Sequence, residues 1–176
     1  MLFDTLLLMP CFLPGQTSFK EGKTNVIVQP QPGEAVLFFN IDDRSNPRCK
    51  FRQLLWGNRE GENLCDLIVF YARGEERIVC FVELKDNIGD LGKATEQLIN
   101  TYNGFKQQLK LSYTPKAYVS TAGGSSSQKH QDYKDKLAKV FGEDNFKIAT
   151  KSDNDLGDFL RGRPPQTKGK RKKKRR

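Results

Sequence analysis

The chain has 176 residues, with 30 Lys and Arg against 21 Asp and Glu and a net charge of +9. That length fits one domain with extensions, and an apolar content of 36 % supports a core while excluding a protein built of long membrane-spanning helices. Four cysteines without Cys-x-x-Cys spacing and one histidine exclude the usual zinc sets, and read as reduced thiols of a cytoplasmic protein, or a nuclear one in a eukaryote.

The apolar start, residues 1–10, lacks basic residues, contains Asp4 and offers no small-residue cleavage site, so it reads as a buried first strand or short helix rather than a leader. Residues 24–29 and 34–41 are rich in β-branched and aromatic side chains and predict strands, with Pro30, Pro32 and Gly33 between them as a turn. Residues 50–56 fit a short helix or a strand, and 57–63 a loop.

The most specific stretch follows. Residues 65–71 (Cys-Asp-Leu-Ile-Val-Phe-Tyr) and 78–85 (Ile-Val-Cys-Phe-Val-Glu-Leu-Lys) are two strands joined across Gly74, the arms of a β-hairpin. A two-residue loop of Gly74 and Glu75 sets Ile68 opposite Phe81 and Asp66 opposite Glu83. Lys85, two residues on, shares that face. Facing carboxylates repel, and become favourable when a divalent cation sits between them. The chain holds two other acidic-x-Lys triplets, Glu21-Gly22-Lys23 and Asp132-Tyr133-Lys134, but only Glu83-Leu84-Lys85 ends an apolar strand paired with one headed by Asp.

After a capping loop at 86–90, residues 91–111 predict a helix. Leu91, Ala94, Leu98, Tyr102, Phe105 and Leu109 form its apolar stripe and Asp90 its N-cap. Residues 116–121 predict a strand, so strand–helix–strand implies a right-handed parallel crossover. The Gly- and Ser-rich stretch from Ala122 to Ser127 lacks a phosphate-loop ending and reads as a flexible loop. A basic helix over 130–141, with His130 exposed at its start, precedes a strand at 145–150 and a short acidic segment at 155–160. Residues 161–176 carry ten basic residues and no acid, which predicts a disordered polybasic tail behind a single domain of residues 1–160. Nucleic acid leads as its partner, ahead of an anionic membrane, an acidic protein or an import receptor.

The Asp-headed strand followed by Glu83-Leu84-Lys85 resembles the catalytic core of the PD-(D/E)XK nuclease superfamily. Ala94-Thr95-Glu96-Gln97-Leu98 with Tyr102 is similar to a pattern on the helix that follows this core in many of its members. Cys65 stands where the family name has Pro. The resemblance implies a restriction-endonuclease-like α/β fold, a mixed central sheet flanked by helices. It also implies Mg²⁺, or Mn²⁺, held by Asp66, Glu83 and the Leu84 carbonyl, with Lys85 acting on the attacking water. Gln97 would be an accessory residue and Lys93 a phosphate contact. A further acid would come from upstream, among Glu34, Asp42, Asp43, Glu60 and Glu62. The expectation is a metal-dependent nuclease acting on DNA ahead of RNA. The alternative is a non-catalytic nucleic-acid-binding module of the same fold.

Overall fold

The computed structural model describes residues 6–43, 46, 49–56, 63–109, 112–123, 130–150 and 155–162. Its centre is a six-stranded sheet in the order β1-β4-β5-β6-β7-β8, formed by β1 (Phe12–Leu13), β4 (Glu34–Asn40), β5 (Leu67–Arg73), β6 (Glu76–Lys85), β7 (Thr114–Thr121) and β8 (Phe146–Thr150). From β1 to β6 neighbours are antiparallel, and β6-β7-β8 are parallel, so the sheet is mixed and the class is α/β, as expected. The hairpin has the predicted register. Ile68 pairs with Phe81, Phe70 with Val79, and Arg73 with Glu76 across the loop. Gly74 opens that loop at φ 54°, the left-handed conformation that a residue with a Cβ avoids at the first position of a tight turn.

Period-two alternation divides the hairpin's side chains between two cores. Ile68, Val79 and Phe81 face α1 (Phe51–Trp56), α2 (Leu91–Gln108) and α3 (Gln131–Phe141), through Phe51, Leu55, Leu98, Phe105, Leu137 and Phe141. The ring of Phe105 lies 5.5 Å from that of Phe81 and 6.3 Å from that of Phe51. Each fully buried Phe contributes roughly 1.5–3 kcal/mol. On the other face Leu67, Val69, Cys80 and Val82 meet β3 (Thr24–Ile27) and α4 (Leu156–Leu160). Cys80 therefore lies on the face opposite Glu83, and the four cysteines are free thiols.

Several expectations change. A strand not foreseen, β2 (Ser18–Glu21), pairs with β3 in a separate two-stranded sheet. The segment 50–56 resolves to the helix α1. Asp90 precedes α2 but its side chain makes no capping hydrogen bond, because it closes a 3-10 turn rather than an extended approach. His130 is buried, not exposed, because the start of α3 lies against α2, with Tyr133 beside Gly92, although Gln131 and Asp132 stay exposed. Arg161, expected in the tail, belongs to the fold: it is the C-cap residue of α4 and binds Glu34. The expectations for Glu60, Glu62, the loop centre at 124–129 and the tail over 163–176 lie outside the described residues.

Candidate active site

At the C-terminal end of β6 two buried carboxylates interrupt the apolar alternation of the hairpin. Asp66, one residue ahead of β5, and Glu83 on β6 are both buried. They fix each other through backbone amides: Asp66 N–H donates to Glu83 Oε2 at 3.1 Å, and Leu84 N–H donates to Asp66 Oδ2 at 2.7 Å. One oxygen of each carboxylate is thus tethered, which sets the direction of the other. Glu83 Oε1 forms an ion pair with Lys85 Nζ. The structure brings Asp66, Glu83 and Lys85 together, and the Leu84 backbone lies directly against Asp66.

A fourth group arrives from an element that the sequence did not reveal. Glu21 ends β2 with its carboxylate toward the Asp66 side chain, and it interacts electrostatically with Asp66, Lys85, Asp42 and Asp86. The cluster is therefore approached from both faces of the sheet, by α2 on one and by the β2–β3 hairpin tip on the other. Asp42 also faces the cluster, but its Oδ1 is 2.6 Å from Arg52 Nη2. Glu34 is excluded as the upstream acid. It pairs with Arg73 at the opposite end of the hairpin and is bound to Arg161. Asp43 interacts with Cys49 instead.

The acids are out of balance with their surroundings. Burial pushes the Asp66 carboxyl up to about 7, with Glu21 and Asp42 adding to the rise against the Leu84 N–H and Lys85. Burial and then Asp66 push Glu83 up to about 9. Glu21 is raised too, first by desolvation. Burial works against the Lys85 ammonium, but Glu83, Asp66 and Glu21 outweigh it and hold the lysine above its ordinary value. Lys85 is therefore a fixed positive charge, unsuited to taking a proton at neutral pH.

Gln97 does not stand among the acids by any observed contact. It is buried in α2, and its Nε2 donates to Leu64 O at 2.6 Å. One turn on, Thr101 Oγ1 accepts from Cys65 N–H at 2.8 Å. Gln97 and Thr101, four residues apart on one helix face, clamp the backbone that leads into Asp66. Thr101 was not foreseen, although a Gln and a Thr at that spacing beside the apolar stripe were a readable signal. Lys93 lies exposed in the first turn of α2.

The oxygen donors at this end are carboxylates and backbone carbonyls, while the neighbouring Cys65 thiol is fully buried and donates to Leu67 O. That suits a hard cation such as Mg²⁺ or Mn²⁺, and the crowded, under-neutralised acids are the feature that such a charge would relieve. Among the described residues no three His, Cys, Asp or Glu side chains already stand in ion-binding geometry. The acids are a tethered pair with Glu21 alongside, not a finished cage. A cavity of about 380 Å³ opens elsewhere, between Leu37, Phe70, Val79 and Tyr113, with no carboxylate in its lining. The chemistry of acids and lysine lies at the other end of the hairpin. Among the described residues no helix is long and apolar enough to cross a membrane. Comparison with protein-family models, curated proteins and solved structures found no match to this chain.

Proposed function

We propose that the chain is a metal-dependent nuclease that hydrolyses phosphodiester bonds, in DNA ahead of RNA, at the C-terminal end of β6. One observation carries this reading. Two buried, backbone-tethered carboxylates, with Glu21 against one of them, share a single lysine, and their carboxyls are raised to about 7 and 9. An assembly this poorly neutralised destabilises the fold unless something positive joins it. The likeness of Asp66 and Glu83-Leu84-Lys85 to the PD-(D/E)XK core supports the same reading, as does the excess of basic residues after Gly162 in the sequence.

Asp66, Glu83, Glu21 and the Leu84 carbonyl would hold Mg²⁺ or Mn²⁺, which when bound lowers the pKa of a coordinated water and neutralises charge on the phosphate. The protein's own contribution is placement. Gln97 and Thr101 fix the approach to Asp66, and the backbone amides of Asp66 and Leu84 orient the two carboxylates. Lys85 keeps its proton and stabilises the negative charge that grows on the phosphoryl oxygens. The basic segment past Gly162 adds sequence-independent attraction to the polyanion.

The test is cleavage of end-labelled single- and double-stranded DNA and RNA with Mg²⁺, Mn²⁺ or EDTA. The proposal expects cation-dependent products from at least one substrate and none from the Glu83→Gln protein. Tight binding without turnover on any substrate would replace it with the non-catalytic binding module. Absence of both binding and turnover would remove nucleic acid altogether.

A further inference from the structure

The tip of the β2–β3 hairpin is fastened to the residue that follows Lys85. Glu21 pairs with Thr24, so Gly22 and Lys23 form a two-residue turn. Gly22 stands at φ 54°, and the outward N–H of Lys23 donates to Asp86 Oδ1 at 2.8 Å. A Cβ on Gly22 would lie 2.8 Å from that same oxygen, closer than carbon and oxygen approach without displacement. Gly22 and Asp86 explain each other: only glycine permits both the turn and the contact, and the contact satisfies a turn amide that would otherwise face water.

The fastening matters because of what adjoins it. Glu21 is the residue before Gly22, and its carboxylate interacts electrostatically with Asp66 and Lys85. Glu21 is itself exposed, on a short strand between the exposed Lys20 and Gly22. An acid on such a strand has little else to hold its direction. We propose that Asp86 is a positioning residue that latches the hairpin tip and thereby holds Glu21 in the cation site. The latch rests on the cation-site reading above and adds to it a second-layer residue whose carboxylate acts through Glu21. Asp86 serves as an acceptor for the Lys23 amide, and its charge is incidental to that role.

Manganese titration of the full-length chain, by calorimetry or by the electron spin resonance of free Mn²⁺, separates the possibilities. Asp86→Ala should weaken Mn²⁺ binding about tenfold, and the Lys23 amide should exchange with solvent faster. Asp86→Asn, which keeps an oxygen acceptor for that amide, should restore most of the affinity. Glu21→Gln should weaken binding by itself, and adding Asp86→Ala to it should cost nothing more, since the latch has then lost its cargo. Unchanged affinity in Asp86→Ala overturns the latch, and so does an added loss in the Glu21→Gln background. Equal weakness of Asp86→Asn and Asp86→Ala would show that the charge matters instead, which also overturns it. Wild-type protein that binds no Mn²⁺ overturns the cation site itself, and the latch with it. That outcome is distinct, because it appears before any variant is compared.

Discussion

The two ends of the β5–β6 hairpin bury acids in opposite ways. At the loop end, Glu34 receives both forks of the Arg161 guanidinium, at 2.8 and 2.9 Å, with Tyr71 OH at 2.9 Å and the Gln31 amide at 2.8 Å. The Arg161 hydrogen bonds hold its carboxyl down to about 2. At the other end, Asp66 and Glu83 share Lys85 with Glu21, and burial drives them up to about 7 and 9. One sheet and one kind of side chain yield a satisfied structural site and a crowded one. The first end stabilises the fold through matched charges, and the second leaves its acids crowded around a single lysine.

The largest expected effect is on catalysis at the crowded end. Lys85→Ala should lower turnover by about a hundredfold or more while substrate binding changes little, since a fixed charge opposite the reacting phosphate acts chiefly in the transition state. Single-turnover cleavage beside a binding isotherm checks this. A protein that cleaves like wild type would give the lysine a different role.

Neutralising one acid at each end should move stability in opposite directions. Glu34→Gln removes the main counter-charge of the Arg161 guanidinium, whose side chain is 3 % exposed, leaving it Gln29 O and the more distant Asp158, and should cost about 3 kcal/mol. Glu83→Gln relieves crowding and should add roughly 1–2 kcal/mol to the metal-free protein at pH 8. Urea unfolding measures both, and two losses of similar size would erase the contrast.

The pH profile sharpens it. Glu34 has a folded pKa below its unfolded value, so its contribution is present above about pH 4.5 and is lost as pH falls toward 2. Asp66 and Glu83 have folded values above their unfolded ones. The folded state binds the extra protons between about pH 4 and 9, and metal-free stability falls as pH rises through that window. Melting temperatures should therefore drop on both sides of weakly acidic pH. Glu34→Gln should flatten the acid limb and Glu83→Gln the alkaline one.

Much of this was legible in the chain, for reasons that also mark the limit. The hairpin register followed from Gly74 and from alternation, because a two-residue loop leaves one pairing and a slip would turn every side chain to the wrong face. Asp66, Glu83 and Lys85 were found because all three lie on or beside that one hairpin. Glu21 was hidden. Its strand, Ser-Phe-Lys-Glu, is mostly exposed and carries no apolar alternation, and the triplet Glu21-Gly22-Lys23 looked like chance. The Glu34–Arg161 pair joins distant parts of the chain with no local trace, so Glu34 stood among the candidate ligands and Arg161 within the tail. His130 was misplaced because Lys129 and Gln131 beside it are polar, which hid the packing of the start of α3 against α2.

A smaller effect tests the clamp between α2 and the approach to Asp66. Thr101→Val keeps the volume but leaves the Cys65 amide unpaired, at a cost of about 1–3 kcal/mol. It should also lower cleavage about tenfold by loosening Asp66. Gln97→Met should act in the same direction, through the Leu64 carbonyl. Loss of stability with full activity would make the clamp purely structural.

The most direct test of the crowded end is Mn²⁺ binding at pH 7, followed by calorimetry in two buffers of different ionisation enthalpy. Carboxyls raised to about 7 and 9 hold a proton that a cation must displace. The account predicts saturable binding with release of about one proton per Mn²⁺, and loss of both in Glu83→Gln. Binding that releases no proton, or that survives Glu83→Gln unchanged, would contradict it.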